Sequence, residues 1–283
     1  MKRAVRRFMP GETLDDAVWA AKSCQVDGIG SLFTLLGENV RGAEEAEAVA
    51  AHYHEVLRRT QAAGLDTEIS VKLTQIGYDV DPDGAERRFA DLATAADKLG
   101  TWAWIDMEGS DYTEGTVALY ERIKAAHPNT GLCLQAYLHR TPSDIRRLLP
   151  LRPAVRLVKG AYDEPGAIAY RRGSDVDAAF LGVTGQLLDG LAAGNVSRAV
   201  LGTHDTRLIE QAGRHAQAAG LDRKQVEVHM LYGIRAGEQR RLARDGYGVK
   251  TLIAYGTFWY PWYVRRLAER PANLVFALRQ LLP

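Results

Sequence analysis

Short apolar runs alternate with longer amphipathic stretches along nearly the whole chain. The first run, Gly28-Ile29-Gly30-Ser31-Leu32-Phe33-Thr34-Leu35-Leu36, predicts a strand. An Ala/Glu-rich stretch at 43–63 predicts a helix that Gly64 stops. The unit then recurs. Further strands are predicted at 67–73, 101–107, 131–137, from 155, at 198–204, 225–231 and 249–255. Helices are predicted between them at 84–99, 114–126, 143–149 with Ser143 as N-cap, 175–193, 207–219 and 236–244, and a last one from Pro261. β-branched and aromatic residues favour the strands, and Gly or Pro punctuates the helix ends. Ahead of the first strand, residues 1–27 predict a helical extension, with Thr13 capping the periodic Leu14, Ala17, Val18 and Ala21.

Eight strand–helix units in strict alternation imply parallel strands with right-handed crossovers. In one domain of this length they predict an α/β fold, a (β/α)8 TIM-like barrel over residues 28–283. A doubly wound open sheet is the alternative. It has less support, because Gly28-Ile29-Gly30 lies at the start of its strand without a third glycine, and no Gly-x-x-x-x-Gly-Lys-Ser/Thr loop occurs.

Composition narrows the class. The chain has 283 residues, 46% of them hydrophobic, and a formal net charge of +1. That balance gives no electrostatic case for nucleic acid. Lys2, Arg3, Arg6 and Arg7 precede no apolar run, so they are not a secretory signal. No stretch approaches the roughly 18 apolar residues of a membrane span. A cytoplasmic enzyme is expected, at most peripheral at the inner membrane. Cys24 and Cys133 lie far apart with no Cys-x-x-Cys, so both are expected to be reduced and buried.

In such barrels the C-terminal strand ends hold the active site. Here those ends carry Lys72, Asp106, Gln135, Arg156 with Lys159, Thr203-His204, and His229 with Leu231. Alternation places Arg156 with Val158 and puts Lys159 on the other face. It also groups Asp106 with Trp102 and Trp104, Gln135 with Cys133, and His204 with Gly202 and Val200. A buried cation is costly unless paired, so Arg156 is expected to meet an anionic ligand or a carboxylate. Asp106 can orient Lys72 or Arg156. Lys72, Arg156 and Lys159 outnumber Asp106 and Glu108, so a net positive mouth is expected, suited to an anionic substrate or a cofactor phosphate. The spacing of Asp106, Glu108, His204 and His229 is not specific for a metal, and none is expected.

A second cluster opens the predicted last helix at 259–271. Adjacent Arg265 and Arg266 splay by about 100° around a helix. Glu269 can hold either guanidinium, and Trp262 shares their side. A paired-Arg fork with aromatic walls suits a small carboxylate with an apolar body. A solvated basic face over core aromatics is the alternative.

Ser70-Val71-Lys72-Leu73, Ile105-Asp106-Met107-Glu108, Leu134-Gln135-Ala136-Tyr137, the run from Val155 to Tyr162, Thr203-His204-Asp205, Met230-Leu231-Tyr232-Gly233 and the run from Trp259 to Glu269 resemble the proline dehydrogenase family in motif and order. The resemblance covers roughly residues 28–283. It implies a distorted (β/α)8 barrel with FAD at its mouth, oxidation of L-proline to the cyclic imine, and a quinone-type electron acceptor, with a membrane surface as the place of exchange. By resemblance, Lys72, Arg265 and Arg266 bind the substrate carboxylate, and Asp106 and Arg156 form the catalytic pair. Met107, Gln135, Val158, Lys159, Gly160, Ala161, Thr203, His204 and His229 contact FAD. Tyr162, Leu231, Leu252 and Trp262 face the substrate ring. Glu269 tethers Arg266. The chain departs from the family pattern at Leu252, which stands where a Tyr is usual, and at His229, which stands for Gln. The first departure makes a ring-substituted proline an alternative substrate. A Schiff-base aldolase using Lys72 or Lys159, and a non-enzymatic carboxylate-binding protein, are the rival readings.

Overall fold

A computed structural model describes residues 8–260. Eight parallel strands close into a barrel in chain order. They are β1 (Gly30–Leu35), β2 (Thr67–Val71), β3 (Ala103–Ile105), β4 (Thr130–Gln135), β5 (Ala154–Val158), β6 (Arg198–Gly202), β7 (Val226–Leu231) and β8 (Gly248–Tyr255). The helices are α1 (Leu14–Val26), α2 (Ala43–Ala62), α3 (Pro82–Lys98), α4 (Ser110–Ala126), α5 (Thr141–Leu148), α6 (Gly173–Ala192), α7 (Thr206–Ala218) and α8 (Ala236–Arg244). β8 returns to pair with β1, setting Leu32 opposite Leu252. The expected barrel is therefore the observed one, and the open-sheet alternative falls.

Helix α1 begins where its capping residues place it. The Asp16 N–H donates to Thr13 Oγ1 at 3.2 Å, and the Thr13 N–H donates to Asp16 Oδ2 at 3.0 Å. Leu14, Ala17, Val18 and Ala21 are buried in the core between sheet and helices, and α1 lies along β1 and β8. Helix α5 differs from expectation. It starts at Thr141, because Pro142 fits the first turn, where no backbone N–H is needed. Ser143 is inside it, and its hydroxyl donates to the Arg140 carbonyl instead of capping. Several strands stop earlier than their apolar runs. β2 ends at Val71, and a 3-10 turn over Leu73–Ile76 closes on Gly77 at φ 92°.

Side chains alternate between the helix-covered outside and the barrel interior. Leu32, Trp104, Ala154 and Val200 form the interior's apolar middle layer. Below them the floor is ionic. Arg198 lies 3.0 Å from Glu68 and pairs with Glu227, while Lys250 lies 3.4 Å from Glu68. Glu68 is 3% exposed, so its two cations are what make its burial affordable. Above the middle layer the interior opens into a cavity.

Candidate active site

The cavity at the C-terminal strand ends has a volume of about 470 Å³. Lys72, Asp106, Met107, Gln135, Arg156 and Val158 line it from β2 to β5. The β5–α6 loop adds Lys159, Gly160, Ala161 and Tyr162, and β6 to β8 add Thr203, His204, His229, Leu231 and Leu252. All these expected site residues converge. Arg265, Arg266, Trp262 and Glu269 lie outside the described residues.

Arg156 is the best-held group. Its side chain is 3% exposed and pairs with Asp106, which is 16% exposed. Arg156 Nη2 also donates to Ser70 Oγ at 2.8 Å, and Ser70 Oγ donates to Asp106 Oδ1 at 2.8 Å. Burial is the largest single influence and opposes the guanidinium charge, but Asp106, Cys133 and Glu68 together outweigh it and leave the group more basic than usual. Arg156 Nη1 is buried without a hydrogen-bond partner. Ser70 was not among the expected site residues. Its position two before Lys72 is the signal that places it on the same strand face.

The other cations are paired too: the lining sets Lys72, Arg156 and Lys159 against Asp106 and Asp205, and Glu38 and Asp177 reach two of the cations from outside it. Lys72 lies 3.8 Å from Glu38, on the loop after β1. Lys159 lies 2.5 Å from Asp177 and 3.6 Å from Asp205. Alternation put Lys159 on the outer face, yet it lines the cavity. β5 ends at Val158, and Gly160 at φ 128° turns the chain back over the mouth. Glu108 departs from expectation as well. Its carboxylate turns away and accepts the Thr74 N–H at 3.1 Å and hydroxyl at 2.6 Å. Burial holds it above the usual carboxylate range. Among the described residues no group of three His, Cys, Asp or Glu side chains forms a metal site. Cys133 is buried on the cavity wall, whereas Cys24 is only half-buried.

Two histidines on this wall are held differently. His204 Nε2 accepts the Leu231 N–H at 2.9 Å, which places the ring proton on Nδ1. His229 is 4% exposed, and neither ring nitrogen has a hydrogen-bond partner. Burial first, then Arg156, Arg198 and Lys250, hold its pKa far below the ordinary value, so the ring is neutral. A buried polar group left unmatched costs about 1–3 kcal/mol. Gln135 Nε2 donates to the Glu108 carbonyl at 3.0 Å, which fixes its amide against the cavity.

The family model described as proline dehydrogenase matches residues 17–279. The chain belongs to the proline dehydrogenase family. Among relatives of this dehydrogenase, proline dehydrogenase 1 of Bacillus subtilis strain 168 is 34% identical over 279 residues, 98% of this chain and 90% of that protein. The proline dehydrogenase of Deinococcus radiodurans is 32% identical over 287 residues, 100% of this chain and 91% of the relative. The fold is similar to that of proline utilization A from Bdellovibrio bacteriovorus inactivated by N-propargylglycine, with TM-score 0.86 and 19% identity. That match covers 94% of this chain and 32% of the larger protein, so the chain spans about a third of it.

Proposed function

We propose that this proline dehydrogenase family member oxidises L-proline, or a close ring-substituted analogue, to 1-pyrroline-5-carboxylate, the first step of proline catabolism. The convergence of Lys72, Asp106 and Arg156 on one cavity whose wall holds an unmatched neutral His229 carries the reading.

The residues present suit a flavin. Arg156 Nη1 and the His229 nitrogens are buried without hydrogen-bond partners, as polar ring edges require. Gly160 and Gly202 leave bare backbone on the wall; a Cβ on Gly202 would sit 2.6 Å from the Val158 side chain. Met107, Gln135, Val158, Lys159, Gly160, Ala161, Thr203, His204 and His229 would hold it, in the form of FAD. When bound, the flavin accepts the hydride released from the carbon beside the substrate nitrogen.

The chain's own residues do the rest. The Lys72 ammonium, with Arg265 and Arg266 of the last segment, binds the substrate carboxylate. Asp106 keeps Arg156 in place. Substrate nitrogen lying near Arg156 and Lys72 loses its proton more readily, so the amine is neutral when it reacts. Leu231, Leu252 and Tyr162 pack the ring and exclude water. Leu252 offers no hydroxyl, so a substituent on the ring meets an apolar wall there. Glu269 tethers Arg266, and a quinone-type acceptor at a membrane surface takes up the electrons.

Anaerobic addition of L-proline to the purified, flavin-loaded protein is expected to bleach its yellow colour, and a quinone to restore it. A colourless protein trapped by borohydride with substrate would replace this reading with the aldolase. Ligand-induced stabilisation without turnover of any acceptor would replace it with a binding protein.

A further inference from the structure

Asp106 and Ser70 hold one edge of the Arg156 guanidinium through Nη2, and the ring of Trp104 lies against its plane. Trp104 is fully buried at the boundary between floor and cavity. Its ring centroid lies 5.4 Å from Arg156 Cζ on the cavity side and 5.1 Å from Arg198 Cζ on the floor side. The indole is itself held at three points. Nε1 donates to Glu68 Oε2 at 2.5 Å. Trp102 stacks on it at 6.2 Å with 29° between planes, and the His229 ring meets it edge-on at 5.7 Å. Gly131, its register partner on β4, has no side chain, and a Cβ there would overlap the indole. An entire neighbouring position is thus given up to seat this ring.

We propose that Trp104 is a positioning residue for the reaction, holding the plane of the Arg156 guanidinium from below while Asp106 holds its edge. The proposal rests on the reading that Arg156 touches the reacting groups. A guanidinium lying against an aromatic face is attracted to the ring quadrupole, and the attraction grows when water is excluded. The Glu68 carboxylate fixes the indole in turn, so the ion network of the closed end sets the height and tilt of a cation in the open end. Asp106 and Ser70 both reach Nη2, so without the ring the guanidinium can still swing about that one nitrogen. With the ring beneath, one orientation remains, with Nη1 left for a ligand.

The test uses the flavin-loaded protein with Trp104→Leu, Trp104→Phe, Arg156→Lys and the Trp104→Leu/Arg156→Lys double variant. Trp104→Leu is expected to slow anaerobic bleaching by L-proline about tenfold, with KM within about threefold, because the substrate carboxylate is held elsewhere. Trp104→Phe keeps a ring under the cation and is expected to recover to within about threefold of the wild type. In the Arg156→Lys background the leucine substitution should add little. A second readout is the Arg156 Nε–H signal in ¹⁵N NMR, identified by its loss in Arg156→Lys. It should be sharp in the wild type and in Trp104→Phe and broadened in Trp104→Leu, with or without flavin. An unchanged bleaching rate in Trp104→Leu, fully multiplicative losses in the double variant, or an unmoved NMR signal overturns the proposal. If Arg156→Lys bleaches like the wild type, the catalytic reading of Arg156 fails, and the NMR signal still decides what Trp104 does. Should Trp104→Leu not fold, Gly131→Ala, which pushes the indole off its seat, carries the same expectations.

Discussion

Replacing Asp106 with Asn removes the counter-charge of a cation that is 3% exposed while keeping an acceptor of similar shape. Removing one partner of a buried ion pair outright costs about 3–5 kcal/mol, because the other charge stays buried alone. Asn can still accept from Arg156 Nη2 and Ser70 Oγ, which lie on the same carboxylate oxygen. The expected loss is then about 1.5–3 kcal/mol, the size of a hydrogen bond to a charged group. Set against a typical stability of about 5–15 kcal/mol, the variant should fold. The assay is urea unfolding at neutral pH for the wild type, Asp106→Asn, Arg156→Met and the double variant. The double variant should lose about 2 kcal/mol less than the sum of the singles, since the neutral thioether no longer needs an anion. An Asp106→Asn protein within about 0.5 kcal/mol of the wild type, together with additive singles, would refute the claim that this pair is the site's electrostatic anchor.

Three further outcomes follow from the structure. Lys124 is 7% exposed, and burial lowers its ammonium to about 8 from 10.5. The unfolded chain binds the extra proton across that window, so wild-type stability should rise with pH between about 8 and 10.5 by up to about 3 kcal/mol relative to Lys124→Met; parallel pH profiles would contradict it. Burial raises the Glu108 carboxyl, so the folded state keeps its proton longer and loses stability as pH climbs through that raised value. Glu108→Gln should therefore gain on the wild type in denaturant midpoint from pH 4 toward neutrality, and a gap that shrinks would be the wrong sign. Gly160→Ala places a Cβ against the Tyr137 ring at a φ of 128° and should lower the flavin-to-protein absorbance ratio of the purified protein severalfold; full loading would show that this backbone does not cradle the cofactor.

Much of this was legible in the sequence because barrel chemistry sits at strand ends and strand ends follow from period-2 alternation. Lys72, Asp106, Gln135, Arg156 and His229 were all found that way, and each lines the cavity. What alternation could not supply was where each strand stops. Lys159 was placed on the wrong face because its strand ends one residue earlier and Gly160 reverses the chain. The partners of the mouth's cations were hidden for a different reason. Glu38, Asp177 and Asp205 reach the cations from other elements, and such pairings across about 20 to 50 positions leave no local mark. Alternation groups Trp104 with Asp106 on one strand face and goes no further. Barrel closure is what brings it beneath Arg156 and against Glu68.

The most direct test of the account is a structure of the flavin-loaded protein with a non-oxidisable, saturated five-membered-ring carboxylate bound. The account predicts the carboxylate on the Lys72 ammonium, the ring against Leu231 and Leu252, the flavin beside Arg156, and a cofactor atom hydrogen-bonded to a His229 ring nitrogen. A ligand carboxylate seated away from Lys72, or a flavin that leaves His229 unmatched, would contradict it.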